Sequence, residues 1–233
     1  MNIVVSLIII LSLYLLVKSA NKNIFFTKRT IYSGHGHRCY AENLNDSERR
    51  VVRILAEGLN HNEYFIYNNL ILPSSHSTST EIDHVVVSRF GIFVIETKDS
   101  SGWIFGSKSN EKWTARYLTG KKFILRNPLW QNYGHVETLK KLMPFVEENF
   151  INLVVFTGSG VFKTERIKNV VYAHELVENI KSYGTPVISQ QRLLMAIGKL
   201  SYLCQTVEIS PHEHISNVMT QSKSLNAAQT TTS

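Results

Sequence analysis

The stretch EIDHVVVSRFGIFVIETK, residues 81–98, decides the fold of this 233-residue chain. Two runs rich in β-branched residues, 82–88 and 92–98, flank a short segment of Arg89, Phe90 and Gly91, which is the composition of a β-hairpin. Both runs are apolar on both faces, as in strands that are covered on each side of a sheet. The stretch therefore predicts a central hairpin in a layered fold.

Acidic residues interrupt this apolar pattern, and the length of the turn decides whether they meet. A two-residue turn or a four-residue loop pairs Asp83 with Glu96, whereas a three-residue loop pairs Asp83 with Thr97. We predict the even loop, unless a bulge shifts the register. Because like charges on neighbouring strands repel, a cation is expected between the two acids. It is either Lys98, on the same face as Glu96, or a divalent ion such as Mg²⁺. A salt-bridged hairpin without further chemistry is the plainer interpretation.

The segment resembles a known family of nuclease-like proteins. Asp83 followed by Glu96, Thr97 and Lys98 resembles the D…(D/E)-x-K signature of the PD-(D/E)xK nucleases. The longer series TEIDHVVVSRFGIFVIETKD, SGWIFG and NPLWQNYGH is similar to the NERD family, the nuclease-related domain, over residues 43 to 158. The resemblance implies an α/β fold with a restriction-endonuclease-like αβββαβ core, in which a mixed β-sheet is flanked by helices.

The same resemblance implies roles for the residues of the hairpin. Asp83 and Glu96 would hold Mg²⁺ or Mn²⁺, together with a main-chain carbonyl near Thr97. Lys98 would orient the attacking water or stabilise the negative charge that develops on the phosphate. The implied activity is metal-dependent hydrolysis of phosphodiester bonds in DNA.

Two further residues are candidates for the site, each with an alternative role. Glu48 corresponds to a family acid at a helix start, although Ser47 stands where the family has Gly; it also falls where a Glu would complete a capping box with Asn45. Gln131 corresponds to the Gln of a Gln-x-x-x-Tyr helix, but His135 replaces the Tyr. Gln131 would orient a phosphate or a metal-bound water, or it is an exposed helix residue.

Composition adds a charge argument and a cysteine argument. The chain has 25 basic and 18 acidic residues, a net charge of +7, which fits nucleic acid or an anionic membrane surface. Cys39 and Cys204 have no metal-type spacing, and free thiols in a reducing compartment are expected. Basic and aromatic residues alternate along three predicted accessory strands, as in a binding surface for nucleic acid or in any half-buried meander. They are Lys108, Lys112, Arg116, Lys121, Lys122 and Arg126, with Trp103, Trp113, Tyr117 and Phe123.

The order of segments predicts five regions. Residues 1–20 contain the apolar run Ile3 to Val17, and we expect a single membrane-spanning anchor; a cleaved signal peptide and a buried helix are the alternatives. Basic residues after the run place the C-terminal domain in the cytoplasm. Residues 21–42 are a connector, 43–160 the nuclease-related domain, 161–218 a C-terminal α/β extension and 219–233 a disordered tail. The predicted function is a membrane-anchored, metal-dependent nuclease. The alternative is a catalytically inactive, membrane-tethered module that binds nucleic acid.

Overall fold

The computed structural model describes residues 44–73, 79–117 and 119–206, which form a mixed α/β fold of two sheets flanked by helices. The helices are α1 (Asp46–Gly58), α2 (Pro128–Leu142), α3 (Leu176–Lys181) and α4 (Gln190–Thr206), with short 3-10 helices at Pro144–Asn149 and Ala173–Glu175. The strands are β1 (Phe65–Pro73), β2 (Ser79–Ser88), β3 (Gly91–Lys98), β4 (Trp103–Phe105), β5 (Lys112–Arg116), β6 (Lys122–Arg126), β7 (Phe150–Phe156), β8 (Val161–Phe162) and β9 (Val170–Tyr172).

The larger sheet has the strand order β1-β2-β3-β7-β9 and is covered on both faces. Strands β1, β2 and β3 are antiparallel, whereas β3, β7 and β9 are parallel, so the predicted mixed sheet is confirmed. Helices α2 and α4 pack on one face of the central strands, and α1 and α3 pack on the other. The two-sided apolar pattern of the hairpin follows from this, since Val85 and Val86 face opposite layers and both are fully buried.

The central hairpin has the predicted even connection. Ser88 pairs with Gly91 across a two-residue turn, and the register continues to the pair His84 and Ile95. The paired residues end there, one position before Asp83 and Glu96. Gly91 has φ +147°, and a Cβ there would meet the Ile151 side chain at 2.3 Å, so the turn requires glycine.

A local kink in the neighbouring strand lies opposite Asp83. Asn69 of β1 has φ 52°, a left-handed conformation that Asn tolerates better than most residues. On β2, Ile82 and Val85 belong to the same core cluster, although residues three apart in a regular strand face opposite sides. The alternation of side chains along β2 is therefore not strict around Asp83.

The smaller sheet has the strand order β6-β5-β4-β8 and contains the predicted accessory strands. One of its faces packs on the larger sheet through Ile104 and Trp113, which are both fully buried. The Trp113 ring stacks on Phe156 with centroids 6.4 Å apart. Of the two interpretations left open for this residue, a nucleic-acid surface and a half-buried meander, the structure supports the meander, because Trp113 fills the core between the sheets.

Several predictions concern segments that the structure does not describe. Residues 1–42 and 219–233, the predicted anchor, connector and tail, lie outside the described residues. Within the described ranges, no helix has the length and apolar character needed to span a membrane. Cys204, in α4, is disulfide-bonded, so the prediction of a free thiol is wrong for this residue; Cys39 lies outside the described ranges.

The core role of Trp113 gives a first prediction. Replacing Trp113 with Ala should lower the free energy of unfolding by about 3–5 kcal/mol, since it removes a fully buried aromatic side chain. Urea denaturation followed by circular dichroism measures the change. The matched control is Trp103→Ala on the other face of the same sheet, where the ring is 41% exposed and a much smaller loss is expected. Equal losses in the two variants would contradict this assignment.

Candidate functional site

The candidate site lies at the carboxyl end of β3, where an apolar strand ends in three polar residues. Glu96 and Thr97 are 2% and 8% exposed, and the Lys98 side chain is more accessible. These residues continue the parallel ladder with β7, so their backbone is fixed on one side. On the other side β2 supplies Asp83.

Asp83 is tied to the backbone of the neighbouring strand. Its Oδ2 accepts a hydrogen bond from the Thr97 N–H at 2.7 Å. In an extended strand the N–H and C=O of one residue point to the same side. The Thr97 carbonyl is therefore directed toward the side of the strand on which Asp83 lies.

Glu96 is contacted by a lysine and a histidine. Lys98 Nζ donates to Glu96 Oε1 at 2.6 Å and also to Gln131 Oε1 at 3.1 Å. His135 Nε2 lies 3.3 Å from Glu96 Oε2, without a well-aligned hydrogen bond between the two atoms. Gln131 and His135, predicted to lie one turn apart on one side of α2, thus both face the end of β3.

Helix α2 is fixed on the sheet by buried amides. Asn132 Nδ2 donates to the carbonyls of Val94 and Leu153, at 2.8 and 3.1 Å, and to Asn152 Oδ1 at 2.8 Å. Asn152 in turn donates to the Leu129 carbonyl. These bonds connect one side chain of α2 to both β3 and β7. The bonds of Asn132 therefore also fix the position of the preceding residue, Gln131, relative to the sheet.

Glu48 takes the capping role, one of the two that were left open for it. Asn45 and Glu48 form a reciprocal capping box at the start of α1. Burial raises the pKa of Glu48, and the carboxylate of Glu96 contributes in the same direction. Glu81, which sequence reasoning did not select, behaves similarly: burial raises its pKa, followed by the charges of Glu48 and Glu96. The capping residue therefore also belongs to a group of mutually repelling acids.

The two hairpin acids differ in their ionisation. Burial raises the pKa of Asp83 well above its ordinary value, and the charge of Glu96 raises it further, against the opposing effects of the Thr97 N–H and Lys98. Burial also acts to raise the pKa of Glu96. Contacts with His135 and Lys98 outweigh this effect, and the pKa of Glu96 is lowered. The surroundings therefore favour the charge of Glu96 and disfavour that of Asp83.

His84 is a buried residue of β2 that contacts Thr97. It is fully buried, and its Nδ1 and Nε2 lie 2.8 Å from Asn68 Oδ1 and 3.1 Å from Thr97 Oγ1. Because an amide oxygen only accepts, Nδ1 carries the proton and Nε2 accepts from the threonine hydroxyl. Burial lowers the pKa of His84 to about 3. A neutral imidazole therefore positions Thr97.

The donor set fits a hard divalent cation. In the described part of the chain no group of three or more His, Cys, Asp or Glu side chains has metal-binding spacing. The available ligands are the carboxylates of Asp83 and Glu96 and the Thr97 carbonyl. Glu96 Oε2 is buried and has no well-aligned hydrogen bond among the described residues. Mg²⁺ binds through few carboxylates and keeps several waters, which matches this set.

Comparison with known proteins agrees with this geometry. Residues 44–157 match the model of the family described as NERD, the nuclease-related domain. This stretch, about half of the chain, is similar to nuclease-related domains. An uncharacterized protein of Bacillus anthracis is 32% identical over 142 residues, which cover 58% of this chain and 65% of that protein. No solved structure matches the chain.

The residues selected from sequence differ in how directly they are connected: Lys98 contacts Glu96 and Gln131, whereas Glu48 is related to the acids only through electrostatic effects. Asp83, Glu96 and Lys98 meet at the end of β3, Gln131 contacts Lys98, and Glu48 interacts electrostatically with the acids. Sequence reasoning did not select three further residues. Glu81 could have been selected from the sequence, since it precedes Asp83 by two positions. Nothing in the sequence indicates His84 or Asn132, because their roles depend on contacts between segments far apart in the chain.

The buried neutral His84 gives a prediction about acid stability. In the unfolded chain it titrates near pH 6.5, whereas in the folded protein it stays neutral until about pH 3. The unfolded state alone therefore gains a proton as the pH falls below 6.5, and stability is lost progressively over this window. Relative to His84→Gln, the protein should lose about 2 kcal/mol more between neutral pH and about pH 5.

Urea denaturation of the wild type and His84→Gln at each pH measures this difference. The carboxyl groups titrate in both proteins, so their contributions largely cancel in the comparison. Parallel pH profiles would show that His84 is not a buried neutral imidazole.

Proposed function

We propose that the NERD domain is a metal-dependent nuclease that hydrolyses phosphodiester bonds in DNA. The observation that supports this most is the convergence of Asp83 and Glu96 at the end of β3 beside the amine of Lys98. A buried carboxylate beside a half-buried one is costly when both are charged, unless a cation balances them. The order α1, β1, β2, β3, α2 and β7 supports a restriction-endonuclease-like core for this chemistry.

Each residue has a role that follows from its contacts. Asp83, Glu96 and the Thr97 carbonyl would hold Mg²⁺ or Mn²⁺. When bound, the ion supplies Lewis-acid polarisation of the phosphate and lowers the pKa of a water. Lys98 keeps a positive charge beside the reacting phosphate oxygen. Gln131 orients the Lys98 amine, and its neighbour on α2, His135, holds Glu96.

One observation favours the second candidate, a module that binds nucleic acid without hydrolysing it. Lys98 contacts Glu96 at 2.6 Å, so the protein already supplies one cation to the acids. In that case the acids and the amine would be fold elements only. Metal binding separates the two functions, because only the nuclease requires it.

We also propose that residues 1–20 anchor the protein in the cell membrane, with the domain in the cytoplasm. The apolar run from Ile3 to Val17 and the basic residues after it support this orientation. The disulfide at Cys204 argues instead for an oxidising compartment, so the orientation is tested directly. Labelling of residues in the NERD domain with a membrane-impermeant reagent in intact cells tests the orientation: the cytoplasmic domain should stay unlabelled until the cells are lysed.

Asp83→Asn tests the nuclease proposal. In EDTA the variant should be about as stable as the wild type, because the raised pKa of Asp83 already disfavours its charge when no cation is bound. It should lose both the rise in melting temperature that Mg²⁺ gives the wild type and the cleavage of plasmid or single-stranded DNA. Differential scanning fluorimetry and gel electrophoresis measure the two effects.

The matched control is Glu178→Gln, an exposed carboxylate on α3, which should behave as wild type. A second pair compares Lys98→Met with Lys181→Met, where only the former should lose cleavage. Metal-dependent cutting that survives in Asp83→Asn or Lys98→Met would overturn the proposal. DNA binding without any effect of Mg²⁺ would favour the binding module.

Glu48→Gln separates the two roles of Glu48. Gln also completes a capping box, so the stability should change by less than about 0.5 kcal/mol. Removing the charge should weaken Mg²⁺ binding measured by calorimetry, if Glu48 contributes to the site. Asn45→Ala is the converse variant: it should cost about 1 kcal/mol and leave Mg²⁺ affinity unchanged. Unaltered Mg²⁺ affinity in Glu48→Gln would leave Glu48 with the capping role alone.

A further inference from the structure

The outer face of the smaller sheet carries exposed aromatic and basic side chains. The inner face is buried, as Ile104, Trp113 and Ala115 show. Residues that alternate with these point outward, among them Trp103 at 41% and Ile124 at 70% exposure. We define this outer platform by the outward residues of β4, β5, β6 and β8: Trp103, Phe105, Lys112, Thr114, Arg116, Lys122, Ile124, Arg126 and Val161.

The strand register arranges the outer platform in rows. One row runs across all four strands, from Val161 through Trp103 and Arg116 to Lys122. With strands about 4.8 Å apart, this row is about 14 Å long. Lys163, just after β8, places its amine 5.2 Å from the centre of the Trp103 ring. Aromatic and cationic groups therefore lie side by side.

The charge of the outer platform has one sign. Lys112, Arg116, Lys122 and Arg126 are exposed, and no carboxylate lies among the outward side chains of these four described strands. The nearest acidic residues along the chain, Glu111 and Glu165, lie outside the strands. Binding of a protein with an apolar face would leave these cations without partners, whereas a polyanion would supply a negative charge for each of them.

The outer platform is continuous with the candidate site. Strand β4 begins five residues after Lys98, and β8 begins five residues after Phe156, the partner of Lys98 in the ladder. Both connections leave the same end of the larger sheet. Trp103 and Val161, the first residues of their strands, are therefore the part of the platform nearest to the site.

We propose that the outer platform binds single-stranded nucleic acid and guides it to the candidate site. The inference rests on the proposed function for its purpose, but binding is measured independently of it. Exposed rings stack on bases, and base faces are accessible only in an unpaired strand. The cations contact the phosphates, which makes the binding salt-dependent.

The test uses the full chain, purified in detergent and kept in EDTA so that no hydrolysis occurs. Fluorescence anisotropy measures binding of labelled oligothymidylate, oligouridylate and a DNA duplex of the same length. The wild type should prefer the single strands to the duplex. The two single strands distinguish DNA from RNA as the source of the ligand.

Trp103→Ala should weaken binding of the single strand about tenfold, as expected for the loss of one stacking contact. Lys122→Glu, on the edge strand, should weaken binding and flatten the dependence of log affinity on log salt by roughly one unit or more. The matched controls on helices remote from this sheet, Tyr202→Ala and Lys181→Glu, should bind as wild type. Circular dichroism verifies that each variant is folded.

Wild-type affinity in both Trp103→Ala and Lys122→Glu would overturn the inference, as would equal binding of duplex and single strand. These outcomes are distinct from failure of the proposed function. If Asp83→Asn abolishes cleavage while the platform variants bind normally, the nuclease proposal is supported and the binding role of the platform is rejected. If the wild type shows no cleavage but the platform variants lose binding, the binding role is supported and the nuclease proposal is rejected.

Discussion

Glu96 lies at the end of a strand that is buried on both faces, and its carboxylate is 2% exposed. An ion in this position is costly unless charges and hydrogen bonds compensate for lost water. Lys98 supplies one compensating charge from the same strand, and His135 supplies a second contact from α2. Gln131, on the same helix as His135, contacts the Lys98 amine in turn. The need to stabilise a buried acid therefore accounts for the close packing of the end of β3 against α2.

The placement of α2 shows how the fold meets this requirement. The helix begins with Asn127 as its cap and Pro128 in its first turn, both readable from sequence. Its height above the sheet depends instead on Asn132, whose amide bridges carbonyls of β3 and β7. Leaving those carbonyls and that amide unpaired in the core would cost about 1–3 kcal/mol per group. Buried hydrogen bonding thus fixes the side chains that contact Lys98 and Glu96.

Sequence was sufficient where local rules decide the structure. The even turn predicted the register from Ser88 and Gly91 to His84 and Ile95, and apolar runs on both faces predicted a covered central strand. Sequence was insufficient where the packing of distant segments decides which of two similar patterns becomes buried. Trp103 and Trp113 lie in similar alternating strands, yet only the second packs against Phe156. The left-handed Asn69 is likewise a response to the neighbouring strand, and no periodicity indicates it.

The junction between the two sheets connects the candidate site to the outer platform. The Lys98 carbonyl accepts from the Thr157 N–H at 3.0 Å, and the Ser100 carbonyl accepts from the Gly160 N–H at 2.9 Å. A Cβ on Gly158 would lie 2.2 Å from the Ser100 carbonyl oxygen. The segments around Ser100 and Gly158 therefore approach each other so closely that only glycine fits at position 158. Since these bonds follow Lys98 directly, a shift of the smaller sheet would also move the end of β3. The position of the Lys98 amine and the position of the smaller sheet are therefore set by the same few backbone contacts.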